Sequence, residues 1–561
     1  MKLLDSRRLT GPNLYSDSEG AVLDVELAPE EAEAVVPAWE GQVRRMLAAV
    51  GWEGAEVVAR RFAGGASLFF SAPLDCLYAA TEVNEWAWAA AETLVGGTGG
   101  PPDPAEAAAW LRVEIERESN PALMALRAPA AERGVSLLYG EGFATVGLGA
   151  GSVTWPAGAI PHPAAIDWGA VRDVPVALVT GTNGKTTTVR LLAAIARAAG
   201  CVAGTTSTDR VEVGGEAIDE GDFSGPGGAR ALLRDQRVNL AILETARGGL
   251  LRRGLAVRST QAALVTNIAA DHLGEFGVND LPALAEAKLV VARGVKPGGR
   301  VVLNADDPLL AERAGGLAAL GHSVVWFGLD PANPVLRHAI EAGGEAAVLE
   351  GDELVVWSGG RRRVLTRVGD VPIAFGGAAR HNVANALGAA ALAAVLGLPD
   401  EAIAGGLGNV GGTPRDNPGR ANLFEVNGVR VLVDYAHNPH GVEALLGFAA
   451  TLPAARRLIL VGQAGDRDDA ALRDLARSVW AFRPDHVVVK ELPELLRGRS
   501  PGETSAILKD EFRRLGAAPE ALTHANSELE GVQKALAWAR PGDLLVLLVH
   551  AQRDEVLALL R

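Results

Sequence analysis

Residues 178–188 read LVTGTNGKTTT, a combination suited to holding a polyphosphate. Gly181 and Gly184 permit a tight turn whose backbone N–H groups can face phosphate oxygens, and a helix starting there adds its partial positive end. Lys185 supplies a mobile cation for the β- and γ-phosphates, and Thr186 a hydroxyl for Mg²⁺. Thr182, Asn183 and Thr187 complete the nucleotide-contacting stretch. The usual G-x-x-x-x-G-K-[ST] spacing needs a glycine where Val179 stands, so this loop is a variant. A glycine turn that only began a helix would give no packing reason for a lysine and three threonines.

Two further segments carry chemistry. LETARGG ends an apolar run with Glu244, a carboxylate that can reach the metal held by Thr186. VTNIAADHLG ends another with Asn267, Asp271 and His272. Acidic and imidazole groups beside a polyphosphate suit cations that neutralise it. The alternative is that they are capping residues tying down loops. A phosphate loop alone fits a kinase, an ATPase or a ligase.

The elements that must position these groups follow from the apolar pattern. VPVALVT reads as a buried strand, GTNGKT as its turn and TTVRLLAAIARAAG as a helix. VNLAILET, AALVTNI, RVVLNAD and SVVWFG repeat the short runs of a mainly parallel sheet. This predicts a doubly wound α/β domain over residues 171–415, closing with the helix HNVANALGAAALAAVLGL. A further α/β domain over residues 416–561 carries the strands VRVLVDYA, RLILVG, HVVVKE and DLLVLLV. Residues 1–170 mix long helical stretches with short strand-like pieces and predict a small α+β domain. The Gly/Pro stretch over residues 97–107 is expected to be a loop ending in a helix start. Trp86 and Trp88, in NEWAWAA, fit either a helix's core face or a binding or oligomer surface.

Taken together, GTNGKTTT, ETARGG, TNIAADHLG, ALAEAK, NADDP, HNVANAL, PGR and VDYAHNPHG resemble the Mur ligase family, in wording nearest its cyanophycin synthetase branch. The resemblance covers roughly residues 174–550 and rests on separated segments agreeing in order. It implies a P-loop ligase of several α/β domains that binds ATP and Mg²⁺. It implies that Thr186 and Glu244 hold the nucleotide's metal and His272 a second one. Lys288, in ALAEAKLV, matches a lysine that relatives commonly carry as a carbamate, an anion able to join the metal site. Asn304, Asn382 and Asn385 match adenine-side positions, whereas Asp306 and Asp307 fit either a ligand role or caps before Pro308. Arg420 resembles the linker arginine that meets the γ-phosphate. Asp434 and His437 match positions where the last domain closes over ATP; the other reading is a loop rigidified by Asp434 and Asn438. Lys185, Glu244, His272, Lys288 and Arg420 are thus the expected catalytic group.

The implied reaction is ATP-dependent amide formation through an acyl-phosphate, joining an amino acid to an acidic amino acid or peptide. The alternatives are a non-catalytic scaffold and a P-loop NTPase without ligase activity. Fewer than about 100 residues separate NEWAWAA from the phosphate loop, too few for the full ATP-grasp domain that cyanophycin synthetases carry. Acceptor-side candidates are residues 205–209 and 221–230 with Arg230, together with Arg247. In the last domain they are Asp466, Arg467, Asp468, Asp469, Arg497, Arg499 and Glu503. Those acidic residues fit recognition of a basic amino acid or a solvated helix start equally well.

Composition narrows the partners. The net charge of −15 argues against nucleic acid or an anionic membrane surface. No run of about 18 apolar residues predicts a membrane span. Two cysteines, Cys76 and Cys201, exclude a disulfide framework or cysteine-rich metal site and suggest a reducing, cytoplasmic setting. Assembly into a homo-oligomer is left open.

Overall fold

The computed structural model describes residues 1–96 and 103–561. Among these residues the strands form four sheets. In the largest, Val176–Thr180 lies between parallel neighbours Leu240–Glu244 and Thr260–Val265. Beyond Leu240–Glu244 come Ala203–Thr206 and the antiparallel pair Arg210–Val213 and Glu216–Glu220. On the other side lie Val295–Asn304, Ser323–Gly328 and Ala346–Glu350, then the antiparallel strands Glu353–Ser358 and Arg361–Arg367. The chain leaves Val176–Thr180 toward one side and later crosses to the other. Strand order therefore reverses at that strand, and the crevice beyond its C-terminal end is where such a sheet takes ligands.

Alternation along the strands builds both faces. Leu178, Leu243 and Val265 belong to one apolar core, and Val179, Ile242 and Leu264 to the other. Covering one such side chain fully contributes roughly 1.5–3 kcal/mol, so a one-residue slip that exposed both sets would cost more than the fold can lose. On the second face the helix Lys185–Ala198 packs against Arg380–Val395 and Asp400–Gly408. A Cβ on Gly406 would sit 2.3 Å from the Ile195 Cα, which shows how closely two of these helices approach.

The parallel α/β architecture read from the apolar runs is present. Two details differ. The antiparallel strands near residues 353–367 do not show in the apolar pattern, because GDELVVW and RRRVLTR carry too many charges to read as a buried run. Nor does HNVANALGAAALAAVLGL end the unit, since Asp400–Gly408 adds another helix under the phosphate loop's own helix.

The six-stranded sheet runs Asn422–Val426, Val429–Asp434, Leu544–Leu548, Arg457–Val461, His486–Lys490 and Leu522–Ala525. Only its first pair is antiparallel. Near the N-terminus, Lys2–Leu9, Gly20–Glu26, Gly65–Ser71 and Val57–Phe62 form an antiparallel sheet, with Gly20–Glu26 and Gly65–Ser71 at its centre. The helices Pro29–Ala49 and Leu77–Gly96 supply the other half of its core. Trp86 and Trp88 are buried there, which decides for the core reading; the polar anchor is Asn84, whose amide oxygen accepts from the Trp39 indole at 2.9 Å. The loop expected over residues 97–107 lies outside the described residues as far as 102. Asp103 caps the helix that follows, Pro104–Glu118. A small three-stranded sheet, Leu137–Gly140, Phe143–Val146 and Val153–Pro156, leads toward Val176.

Candidate active site

The phosphate loop needs its glycines. Gly181 has φ +142°, and a Cβ there would fall 1.8 Å from the Thr266 hydroxyl; Gly184 has φ +88°, and a Cβ would fall 2.2 Å from the Asn385 amide oxygen. The loop is also tied to the next strand's end. The Asn183 N–H donates to the Asn267 side chain at 2.9 Å, and the Asn267 and Thr266 side chains both donate to the Asn183 carbonyl. Lys185 folds back onto the Gly181 and Thr182 carbonyls at 3.0 and 2.9 Å. These are weak attachments that an incoming phosphate would outcompete.

Thr186 donates to Glu244 at 2.8 Å, and Thr208 donates to the other Glu244 oxygen at 2.6 Å. Glu244 is only 2% exposed and forms no ion pair among the described residues. A buried carboxylate satisfied by hydroxyls alone is a hard-oxygen set, and its chemistry fits Mg²⁺ or a similar ion. Lys288 is also buried beside the loop and donates to the Gly181 carbonyl at 2.8 Å. Burial, reinforced by the Lys185 charge, pushes its pKa well below the usual lysine value.

The rim opposite is built from the C-terminal unit. Arg467 donates to Asp271 at 2.8 Å and contacts both ring nitrogens of His272 at 2.8 and 2.9 Å. His437 Nε2 lies 3.4 Å from the other Asp271 oxygen. Burial alone would raise the Asp271 pKa, but His437, His272 and Arg467 hold the carboxyl well below the usual range. Burial pushes the His272 imidazole down to about 4, which favours the neutral ring. His272, Glu275 and Asp466 place one ligand atom each within 4.8 Å of one another. Glu275 was not singled out from sequence, since an acid in a turn is indistinguishable from a solvated one.

One cavity of about 960 Å³ gathers most of the expected residues. It is lined by Thr182, Asn183, Gly184, Lys185, Thr186 and Thr187, by Glu244, His272 and Lys288, by Asn304, Asn382 and Asn385, and by Arg420, Asp434 and His437. Several have structural duties as well. Asp434 accepts from the Ala421 and Ala436 N–H groups at 2.7 Å, fixing the turn that carries Arg420, whose guanidinium lies 4.2 Å from the Tyr435 ring centroid. Asp307 caps the helix Pro308–Ala319 and accepts from the Ile268 N–H at 2.6 Å. Asp306 holds the Leu329 N–H at 2.6 Å, so both acids serve as loop anchors.

The acceptor-side candidates divide. Thr208, Asp222, Ser224, Arg247, Asp466, Arg467 and Arg497 line the cavity. Arg230 does not: it bonds Glu141 and Thr10. Asp209 is taken by Arg190 and Arg553, at 2.5 and 2.7 Å, and links the large sheet to the C-terminal unit. Asp468 caps the helix Asp469–Ala481, and Arg499 pairs with Asp469 and Glu503. Of these acids Asp466 faces the cavity, whereas Asp468 sits at a helix start.

Two family models match the chain: "Mur ligase middle domain" over residues 179–393 and "Mur ligase, glutamate ligase domain" over residues 419–549. Cyanophycin synthetase of Synechocystis sp. is 41% identical over 376 residues, which make up 67% of this chain and 42% of that protein. The chain thus spans less than half the length of this curated relative. UDP-N-acetylmuramoyl-L-alanyl-D-glutamate–2,6-diaminopimelate ligase of Geobacter metallireducens is 28% identical over 408 residues, 68% of this chain and 74% of the other. Among solved structures, E. coli FolC in complex with DHPP and ADP aligns with a TM-score of 0.49 at 21% identity, over 66% of this chain and 84% of that one.

Proposed function

Since this chain belongs to the Mur ligase family, we propose that it forms an amide bond at the expense of ATP, joining an amino acid to an acidic amino acid or peptide. The observation that carries this reading is the shared cavity. It runs from the phosphate loop to Arg467 and Asp466 of the C-terminal unit, and its volume of about 960 Å³ lies at the upper end for ligand sites. A nucleotide and a second reactant can lie side by side in it.

In the proposed reaction a substrate carboxylate attacks the γ-phosphorus of ATP, ADP leaves, and an acyl-phosphate forms. A neutral amine then attacks the acyl carbon and inorganic phosphate departs. Lys185, released from its carbonyls, and Arg420 would stabilise charge on the transferring group. A divalent cation held by Thr186 and Glu244 would neutralise the triphosphate, with His272 and a carbamylated Lys288 available to a second. Closure of the C-terminal unit over the loop would keep water from the activated acid.

The test is a screen of carboxylate and amine pairs for ADP release, with product mass measured. For an active pair, the carboxylate is labelled with ¹⁸O. One label should appear in the released phosphate; release of unlabelled phosphate alongside amide product would exclude the acyl-phosphate route. ADP release in the absence of any amide product across the screen would favour a plain NTPase.

A further inference from the structure

A second cavity, of about 290 Å³, lies where the N-terminal unit meets the large sheet, and it shares no lining residue with the first. Its walls come from the helix Pro121–Glu132, the strand Leu137–Gly140, the turn at Thr10 and Gly11, the helix Pro226–Leu233 and the segment before Thr260–Val265. The seam around it is tightly joined. Thr10 N–H donates to the Arg253 carbonyl at 2.7 Å and Leu255 N–H to the Pro12 carbonyl at 2.8 Å. A Cβ on Gly11 would lie 2.2 Å from the Leu255 carbonyl oxygen.

Charge in this cavity runs against the molecule's. The chain carries −15, yet Arg127, Arg230 and Arg258 face the space with Glu19 as the only carboxylate among its lining residues. Glu19 is buried and takes Arg127 at 3.0 Å and Arg258 at 2.5 Å on its two oxygens. Arg230, 6% exposed, directs Nε and Nη2 to Glu141 at 3.1 and 2.8 Å and Nη1 to Thr10 at 3.2 Å. Gly140, at φ +152°, makes room for it: a Cβ there would fall 2.7 Å from the Arg230 Nε. A guanidinium offers five N–H donors; Arg127 spends one of them on Glu19 and Arg230 three on Glu141 and Thr10. Donors therefore remain for an anion, while Leu138 and Val257 present aliphatic wall.

We propose that this cavity binds a short aliphatic carboxylate, its acid group on Arg127 and Arg230 and its carbon chain against Leu138 and Val257. The size suits a chain of a few carbons, at the lower end of small-molecule sites. Planar guanidinium groups match a carboxylate in pairs of hydrogen bonds, and the seam between two units is a common place for such a site.

The test is titration of the full chain with butyrate, and separately with inorganic phosphate, in the presence of saturating ATP and Mg²⁺. Saturable butyrate binding is expected. Arg127→Gln should weaken it by about tenfold, the loss of a charge-assisted contact. Arg258→Gln, also at the rim, should weaken it in the same direction. Lys185→Ala, which disables the other cavity, should leave it unchanged. Absence of butyrate binding, equal binding by wild type and both rim variants, or loss of binding in Lys185→Ala would overturn the proposal. Phosphate binding as tight as butyrate with the same Arg127 dependence would overturn the aliphatic part of it.

Discussion

Asn183 in the phosphate loop and Asn438 at the start of the helix Pro439–Ala450 exchange a reciprocal pair of hydrogen bonds, each 3.1 Å long. The two residues lie 255 positions apart and belong to different sheets' loops. Asn183 also meets His440 Nδ1 at 3.0 Å. The phosphate loop and the C-terminal unit are thereby joined directly through the Asn183 side chain.

Asn183→Ala separates that contact from helix capping, since Asn438 keeps its own bond to the Gly441 N–H at 2.9 Å. Two neutral hydrogen bonds contribute roughly 1–3 kcal/mol, so turnover is expected to fall by about 5–100-fold while the unfolding midpoint moves little. Asn438→Ala should add a stability loss of about 1 kcal/mol from the lost cap. Steady-state kinetics and urea unfolding on both variants check this; equal stability losses in the two would show the pair to be a fold contact only.

Glu244→Gln keeps the hydroxyl partners and removes the charge. Divalent-ion affinity, followed by Mn²⁺ electron paramagnetic resonance with nucleotide present, is expected to drop by about 10–100-fold or more. Unchanged Mn²⁺ binding would move the ion away from Thr186 and Glu244.

Burial and the nearby Lys185 charge push the Lys288 amine well below the usual lysine range, toward the neutral form that combines with carbon dioxide. Protein equilibrated with ¹³C-bicarbonate should show a carbamate carbon resonance that Lys288→Met lacks. The signal should fade as pH drops, because protonation removes the nucleophile. An identical spectrum from the Met variant would exclude carbamylation here.

Asp209 should govern closure. Its burial opposes ionisation, yet Arg420, Arg190 and Arg553 hold its pKa below the usual carboxylate range. The sign follows: a carboxyl lowered on folding stabilises above its unfolded pKa, about 3.9, and that contribution disappears as pH falls through the folded value. Small-angle scattering of the wild type should therefore show the C-terminal unit loosening only below about pH 4. Asp209→Asn should loosen it already at pH 7, where it leaves Arg190 and Arg553 uncompensated; matching scattering curves at pH 7 would refute the latch.

Gly181→Ala places a methyl group against Thr266 at a backbone angle that side chains avoid. A cost of about 1–3 kcal/mol in stability is expected, with nucleotide binding lost beyond detection by fluorescence titration. Gly315→Ala, in open helix surface, is the control and should leave nucleotide binding unchanged while raising stability by about 0.5–1 kcal/mol.

The parts of this site legible from sequence were those whose residue type already implies the job. A lysine after a glycine turn and a carboxylate ending an apolar run announce themselves, and the residues expected from Lys185 to His437 do share one cavity. What stayed hidden were partnerships over long chain separation. Arg230 reads as part of the nucleotide-side cavity until Glu141, 89 residues away, is seen to hold it elsewhere, and Asp209 reads as a substrate contact until Arg553 arrives from 344 residues on. The strand Leu522–Ala525 escaped notice because LTHA is short and half polar, and its place comes from pairing with His486–Lys490. Local pattern cannot carry such information, since no nearby residue changes with it.

The placement of Leu544–Leu548 at the centre of the six-stranded sheet, between Val429–Asp434 and Arg457–Val461, orders events during synthesis. Strands made earlier wait with a gap between them until residue 548 has cleared the ribosomal tunnel. The half of the cleft that carries Arg467 and His437 consequently completes its sheet only after every strand of the large sheet has been made.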